Sequence, residues 1–160
     1  VFVRSWLTRL AENTREKARK VFAFRGASTL GLGGAPIEQA WRVEHLRSGI
    51  RYRIHEGHPA VAAVIEACGD QKGLLRAMLR VVEETVPVQR IWLDTAESKD
   101  TPRTGFEGEP NESVIEVATV LFNDLITRKG LNAEEARKAM LRTEPFQKYP
   151  SLIANLGRSE

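Results

Sequence analysis

The sequence has only one cysteine, Cys68, and no long apolar run. A single thiol excludes an internal disulfide framework and a cysteine-rich zinc site. Crossing a bilayer takes about 18–20 apolar residues in succession, which no segment approaches, and no signal-peptide pattern opens the chain. We therefore expect a cytoplasmic protein without a membrane partner. Val1 stands where an initiator Met is expected, which predicts that the sequence is a fragment of a longer protein.

The excess of positive over negative charge is also small. The 24 Lys and Arg against 21 Asp and Glu give a net charge of +3, too small to indicate nucleic-acid binding by itself. The first 25 residues differ, because they carry seven basic side chains against Glu12 and Glu16. A basic segment binds phosphate backbones through counterion release, whereas Lys and Arg also coat the solvent side of most amphipathic helices. Both interpretations of this segment stay open.

The length of 160 residues suits one domain with an appended arm. Apolar residues at spacings of three and four predict a basic amphipathic helical arm over residues 1–25. The glycine-rich residues 26–36 predict a flexible linker, and they lack the Lys-Ser/Thr pair of a phosphate-binding loop. Residues 37–160 are then predicted to form a compact α+β domain.

An antiparallel hairpin is predicted where residues 39–46 and 50–55 alternate apolar and polar side chains around a glycine-containing turn. With Ser48 and Gly49 in the turn, Glu44 lies directly opposite Arg53. This register separates an apolar face from a charged one and predicts a half-buried hairpin. The apolar face contains Trp41, Val43, His45, Tyr52 and Ile54, and the charged face contains Arg42, Glu44, Arg51, Arg53 and His55.

Helical periodicity dominates the remainder. A short helix is predicted after Pro59, a second helix follows it, and the C-terminal third is helical. Within that third, Asn132 with Glu135 three residues on predicts a capping box. The β-rich alternation of residues 88–93 predicts a third strand, and residues 96–111 are predicted to form an exposed loop. The expected architecture is a small antiparallel sheet, the hairpin plus this third strand, packed with several helices.

Two arrangements of side chains suggest metal chemistry. Asp94 at the end of the predicted third strand, followed by Glu97 and Lys99, resembles the acidic and Glu-x-Lys arrangement of some magnesium-dependent nucleases, in which carboxylates hold the metal. Here the Glu and Lys fall in a loop, so solvated turn residues are the alternative. The histidines do not suggest a zinc site, because the predicted register points His45 and His55 to opposite faces. We expect no metal ion.

Three segments of the chain resemble a known family. They read RYRIHEGHPAV over residues 51–61, EETVPVQRIWLD over residues 83–94 and RTEPFQKYPSLI over residues 142–153. Together they are similar to the C-terminal region of bacterial GHKL-type ATPases, which share a nucleotide fold with gyrase B, heat-shock chaperones and histidine kinases. Such ATPases are often found beside restriction or phage-defence genes. The resemblance covers residues 37–157.

The resemblance implies the non-catalytic C-terminal module of a larger ATPase. No Asp-x-Gly-x-Gly motif occurs in the chain, and the segment from Glu116 to Asn123 lacks the Glu-x-x-x-Asn spacing of the family's magnesium-binding helix. We therefore expect no catalytic residue and no cofactor here, with ATP and magnesium bound by a part that precedes the chain. The expected role is assembly or coupling to a protein or nucleic-acid partner, including self-association; a magnesium-dependent nuclease is the alternative. The predicted partner surface consists of Arg15, Arg19, Lys20, Arg42, Arg51 and Arg53.

Overall fold

A computed structural model describes Glu12, Arg15, Glu16, residues 36–97 and residues 109–158. Over these residues the chain forms six α-helices and a two-stranded antiparallel sheet, which confirms the predicted α+β class. The chain divides into two compact units. The smaller unit consists of Val1–Thr29 and Val86–Gly105, and the larger unit consists of Leu30–Thr85 and Phe106–Glu160.

The elements follow one another in this order. They are β1 (Trp41–Leu46), β2 (Gly49–Ile54), α1 (Pro59–Ala67), α2 (Lys72–Glu84), α3 (Val88–Glu97), α4 (Glu112–Thr127), α5 (Ala133–Met140) and α6 (Pro150–Asn155). Two short 3-10 helices, Gly69–Gln71 and Phe146–Lys148, precede α2 and α6. Helix α3 belongs to the smaller unit, and all the other elements belong to the larger one.

The predicted third strand is wrong, because its residues form the first turns of α3. Arg90 and Asp94 form an ion pair of 2.8 Å between Nη2 and Oδ1, an i,i+4 contact typical of a helix surface. The apolar residues Val88, Ile91 and Trp92 also fit a helix, because they are spaced at i, i+3 and i+4. A short apolar run of this kind satisfies both periods, and its sequence alone does not distinguish them.

The predicted arm and linker fall almost entirely outside the described residues. Of the arm, only Glu12, Arg15 and Glu16 are described, and all three are helical. Of the linker, only Pro36 is described. The domain boundaries predicted at residues 25 and 36 therefore stay predictions.

The core of the larger unit is built around α4. Ala118 and Leu121 lie one turn apart on this helix and have no exposed surface. Helices α1 and α5 both pack against α4, and each contributes small side chains, Ala63 and Ala136, that are buried at 1% and 0% exposure. Small residues allow neighbouring helices to approach closely, so these three helices form the centre of the core.

Two asparagines fix the starts of α4 and α5. The Asn111 side chain accepts a hydrogen bond from the Val114 N–H at 3.0 Å. The Asn132 side chain accepts from the Glu134 and Glu135 N–H groups, and the Glu135 carboxylate accepts from the Asn132 N–H in return. The first turn of a helix leaves N–H groups without helical partners, and these side chains satisfy them. The predicted capping box is confirmed.

Candidate functional site

The turn of the hairpin differs from the prediction. It consists of Arg47 and Ser48, and Gly49, with a φ of +135°, is the first residue of β2 instead of a turn residue. The strand pairing is displaced by two residues, so Glu44 lies opposite Arg51. An even displacement keeps each side chain on its face, because strand side chains alternate with a period of two. The predicted apolar and charged faces are therefore present in the structure.

The hairpin is exposed on both faces. Every residue from position 41 to position 52 is exposed, and the exposed fractions reach 50% for Val43 and 60% for Ile50. The expectation of a half-buried hairpin is wrong, because no residue in the described part of the chain covers the apolar side. The hairpin apolar face consists of Trp41, Val43, Ile50 and Tyr52.

The base of β2 is held by Glu83 on α2. The Glu83 carboxylate is only 8% exposed and accepts a hydrogen bond from the Ile54 N–H at 2.8 Å. It also lies 3.1 Å from Arg80 Nη1 and 3.4 Å from Arg53 Nη1. A carboxylate at this depth is stable only with donors around it. No sequence pattern distinguishes Glu83, because it is a lone glutamate on a helix.

The chain before β1 is held by Glu144. The Glu144 carboxylate accepts a hydrogen bond from the Ala40 N–H at 3.1 Å. Its backbone N–H donates to the Glu38 carbonyl at 3.0 Å, and the Glu38 N–H donates to the Arg142 carbonyl at 2.8 Å. The root of the hairpin is thus fixed on both sides, while residues 41–52 project from it.

A cavity of about 300 Å³ lies close to the hairpin root, between α1, α2 and α4. Its wall is apolar, with His58 and Glu144 as the polar residues that line it. The apolar lining includes Val61, Val64, Leu75, Leu79, Val114 and Phe146.

His58 is the residue that precedes α1, its side chain makes no capping hydrogen bond, and it is 1% exposed. Neither ring nitrogen forms a well-aligned hydrogen bond within the described part of the chain. Burial lowers the pKa of His58, and nearby His55 lowers it further, although the Glu144 and Glu38 carboxylates and the Glu144 backbone oppose this. The imidazole is therefore neutral at pH 7. Both ring nitrogens are buried at the wall of this cavity.

We expect the stability of the protein to fall in acid because of His58. Its folded pKa is lowered, so the unfolded chain binds the proton more readily. This contribution is complete above the unfolded pKa of about 6.5 and is lost as the pH falls below it, at up to about 1.4 kcal/mol per pH unit. Urea unfolding between about pH 8 and pH 5 measures the slope.

The control compares two histidine replacements. His58→Phe removes the buried titrating ring, so this part of the acid slope should disappear. His45→Phe changes an exposed strand residue and should keep the slope. An unchanged slope in His58→Phe contradicts the assignment.

Four of the six predicted basic surface residues are described. Arg15 is exposed on a helical segment, and Arg42 and Arg51 are exposed on the charged face of the hairpin. Arg53 is half-buried beside Glu83 at 3.4 Å, so its charge is compensated. Arg19 and Lys20 lie outside the described residues. Nucleic-acid binding by these side chains stays a prediction.

The residues of the nuclease alternative do not have the predicted setting. Asp94 lies within α3 and pairs with Arg90 instead of ending a strand. Glu97 is the last residue of α3, and Lys99 lies outside the described residues. Within residues 36–97 and 109–158, no three His, Cys, Asp or Glu side chains are grouped so that they could hold a metal ion. Cys68 is a half-buried free thiol.

Comparisons with known proteins identify no relative of this chain: no family model, no curated protein and no solved structure matches it. Among the helices that the structure describes, none combines the length and apolar character needed to cross a membrane.

Proposed function

We propose that this chain is a non-catalytic module that binds a protein partner through its hairpin. The observation that carries the proposal is the exposure of the hairpin apolar face. Strict alternation of apolar and polar residues is typical of a strand with one covered face. Since the described residues leave that face in contact with solvent, we assign the surface that covers it to another protein.

The chemistry of this face suits a protein interface. It contains Trp41 and Tyr52, and aromatic residues of this kind are enriched where proteins meet. Complete burial of an aliphatic side chain stabilises by about 1.5–3 kcal/mol, so covering the exposed parts of four large side chains supplies several kcal/mol. This burial is a favourable contribution to docking.

A second exposed apolar surface lies on α2 in the same unit. Leu74, Met78, Val81 and Val82 recur at helical spacing and are all exposed, Leu74 at 69%. Apolar patches beyond a few hundred Å² are uncommon on the surface of monomeric proteins and mark interaction sites. This stripe supports an interaction role for the larger unit as a whole.

The proposal includes the larger context that the family resemblance implies. In a GHKL-type ATPase, a separate nucleotide-binding part performs hydrolysis. This chain then supplies a docking surface that couples nucleotide-driven closure to the partner. Finding a nucleotide-binding domain encoded upstream in the same reading frame would support this assignment, and an unrelated domain there would contradict it.

A photoreactive side chain on the hairpin tests the docking surface. Benzoylphenylalanine in place of Tyr52 should form a discrete protein adduct in cells that make the full chain, because that side chain points into the interface. The same residue in place of Lys138, exposed on α5, is the control and should form none.

The Val43→Asp variant tests whether the crosslink depends on the apolar face. A carboxylate buried against an apolar partner is unfavourable, so this variant should lose most of the Tyr52 adduct while keeping its helical circular dichroism. Equal labelling from positions 52 and 138, or an adduct that persists in Val43→Asp, would contradict the proposal.

A further inference from the structure

The outer edge of β1 presents free backbone groups to another strand. In the hairpin register Leu46 pairs with Gly49, and the His55 N–H donates to the Ala40 carbonyl at 2.8 Å. The even-numbered residues of β1 therefore direct their backbone groups to β2. Those of Trp41, Val43 and His45 point outward, and no residue in the described part of the chain bonds to them. An added strand would bind the backbone groups of these three residues.

We infer that β1 pairs antiparallel with β1 of a second copy of this chain, with Val43 opposite the same residue of the copy. The inference rests on the proposed function, in which the hairpin is the docking element. A two-fold axis at Val43 places Trp41 opposite His45 of the copy, so outward-pointing groups meet outward-pointing groups. The same axis places Arg42 opposite Glu44 of the copy, once on each side.

Charge selects this register over its neighbours. Arg42 and Glu44 are exposed, and neither forms an ion pair among the residues that the structure describes. An axis at Trp41 would place Arg42 opposite Ala40, and an axis at His45 would place Glu44 opposite an apolar residue. Only the axis at Val43 forms two pairs of opposite charge, and directly opposed charges of this kind stabilise strand pairing.

The other edge of the hairpin is less suited to self-pairing. On β2 the outward Ile54 N–H is already bound by Glu83. An axis at Tyr52 would bring Arg51 opposite Arg53 of the copy on both sides, and like charges directly opposite destabilise a pair of strands. The charge pattern therefore favours β1 as the edge.

The product is a four-stranded sheet in the order β2-β1-β1-β2. A two-stranded hairpin alone is marginally stable in water, whereas three or more strands support one another. The interface is isologous and closes as a dimer. The axis is perpendicular to the sheet, so both hairpin apolar faces lie on the same side. Their combined surface stays open to the partner of the proposed function.

Sedimentation velocity of the purified full chain over a range of concentrations tests the dimer. Arg42→Glu should weaken dimerisation at least about tenfold, because both opposite-charge pairs become like-charge pairs. Within its own hairpin, Arg42 lies opposite Arg53, so the substitution introduces a favourable pair and the fold is retained. Lys129→Glu, which reverses an exposed charge just after α4 and away from the hairpin, is the control and should leave dimerisation unchanged.

Charge exchange makes the test specific to the register. Arg42→Glu and Glu44→Arg each place like charges together in a homodimer, but a mixture of the two variants should form heterodimers because every pair across the interface is then opposite. A wild-type chain that stays monomeric, or an Arg42→Glu variant that dimerises as well as wild type, overturns the inference. If the Tyr52 adduct to a different protein persists in that case, the proposed function stands; if the adduct is also absent, both fail.

Discussion

Replacing Leu121 with alanine is expected to lower the free energy of unfolding by about 2–5 kcal/mol. Leu121 has no exposed surface and lies on α4, against which α1 and α5 pack. The shortened side chain leaves a cavity. The three helices cannot fill it, because moving together there would break the contacts they make elsewhere. Urea denaturation followed by far-ultraviolet circular dichroism measures the loss.

Ile50→Ala is the matched control, since it also shortens an aliphatic side chain. Ile50 belongs to the hairpin apolar face and is 60% exposed, so the expected change in unfolding free energy is within about 0.5 kcal/mol. A loss as large as that of Leu121→Ala would mean that the chain itself covers the face. That result would remove the observation on which the proposed function rests.

Glu83→Ala is expected to lower the free energy of unfolding by about 1–3 kcal/mol and to loosen the hairpin selectively. The substitution leaves the Ile54 N–H without its acceptor and removes the carboxylate that holds Arg53. The helices around α4 do not depend on these contacts. Hydrogen exchange should therefore accelerate at the Ile54 amide and along the hairpin, while amides in α4 stay protected.

The neighbouring residue provides the control for this prediction. Glu84 is more exposed than Glu83 and pairs with the same Arg80 at 2.8 Å, but an exposed ion pair of this type contributes less than about 1 kcal/mol. Glu84→Ala should leave hairpin exchange unchanged. Equal exchange at Ile54 in wild type and Glu83→Ala would show that Glu83 does not anchor the strand.

The hairpin shows which structural features a local sequence pattern can predict. Its period-two alternation predicted correctly which side chains share a face. It did not predict the turn at Arg47 and Ser48, because glycine at position 49 fits either the turn or the first position of a strand. It also predicted that the chain covers the apolar face, which was wrong. Alternation shows that a face is apolar, but it does not show which molecule covers that face.

In the α3 segment the local pattern did not predict even the type of secondary structure. Residues 88–93 satisfy both a strand pattern and a helix pattern, and the Arg90–Asp94 contact that distinguishes them exists only once the backbone is helical. By contrast, the capping box at Asn132 was predictable because all its partners lie within one turn of chain.

The contacts that hold the base of the hairpin could not be predicted from any short stretch of sequence. Ala40 and Glu144 are 104 positions apart, and Ile54 and Glu83 are 29 apart. Each is a glutamate without a distinguishing local pattern, and its carboxylate becomes a partly buried acceptor only where two segments of the chain meet.

The sequence by itself determined that this is an α+β chain with one thiol, a small net charge and two-faced strands, because those properties depend on residue type and on spacing over a few positions. The tertiary structure decided that residues 88–93 are helical and that Arg53 is compensated by Glu83. It also decided that the described residues leave the apolar side of the hairpin open to solvent. Each of these outcomes depends on which distant groups come into contact, and burial and charge pairing are properties of that contact.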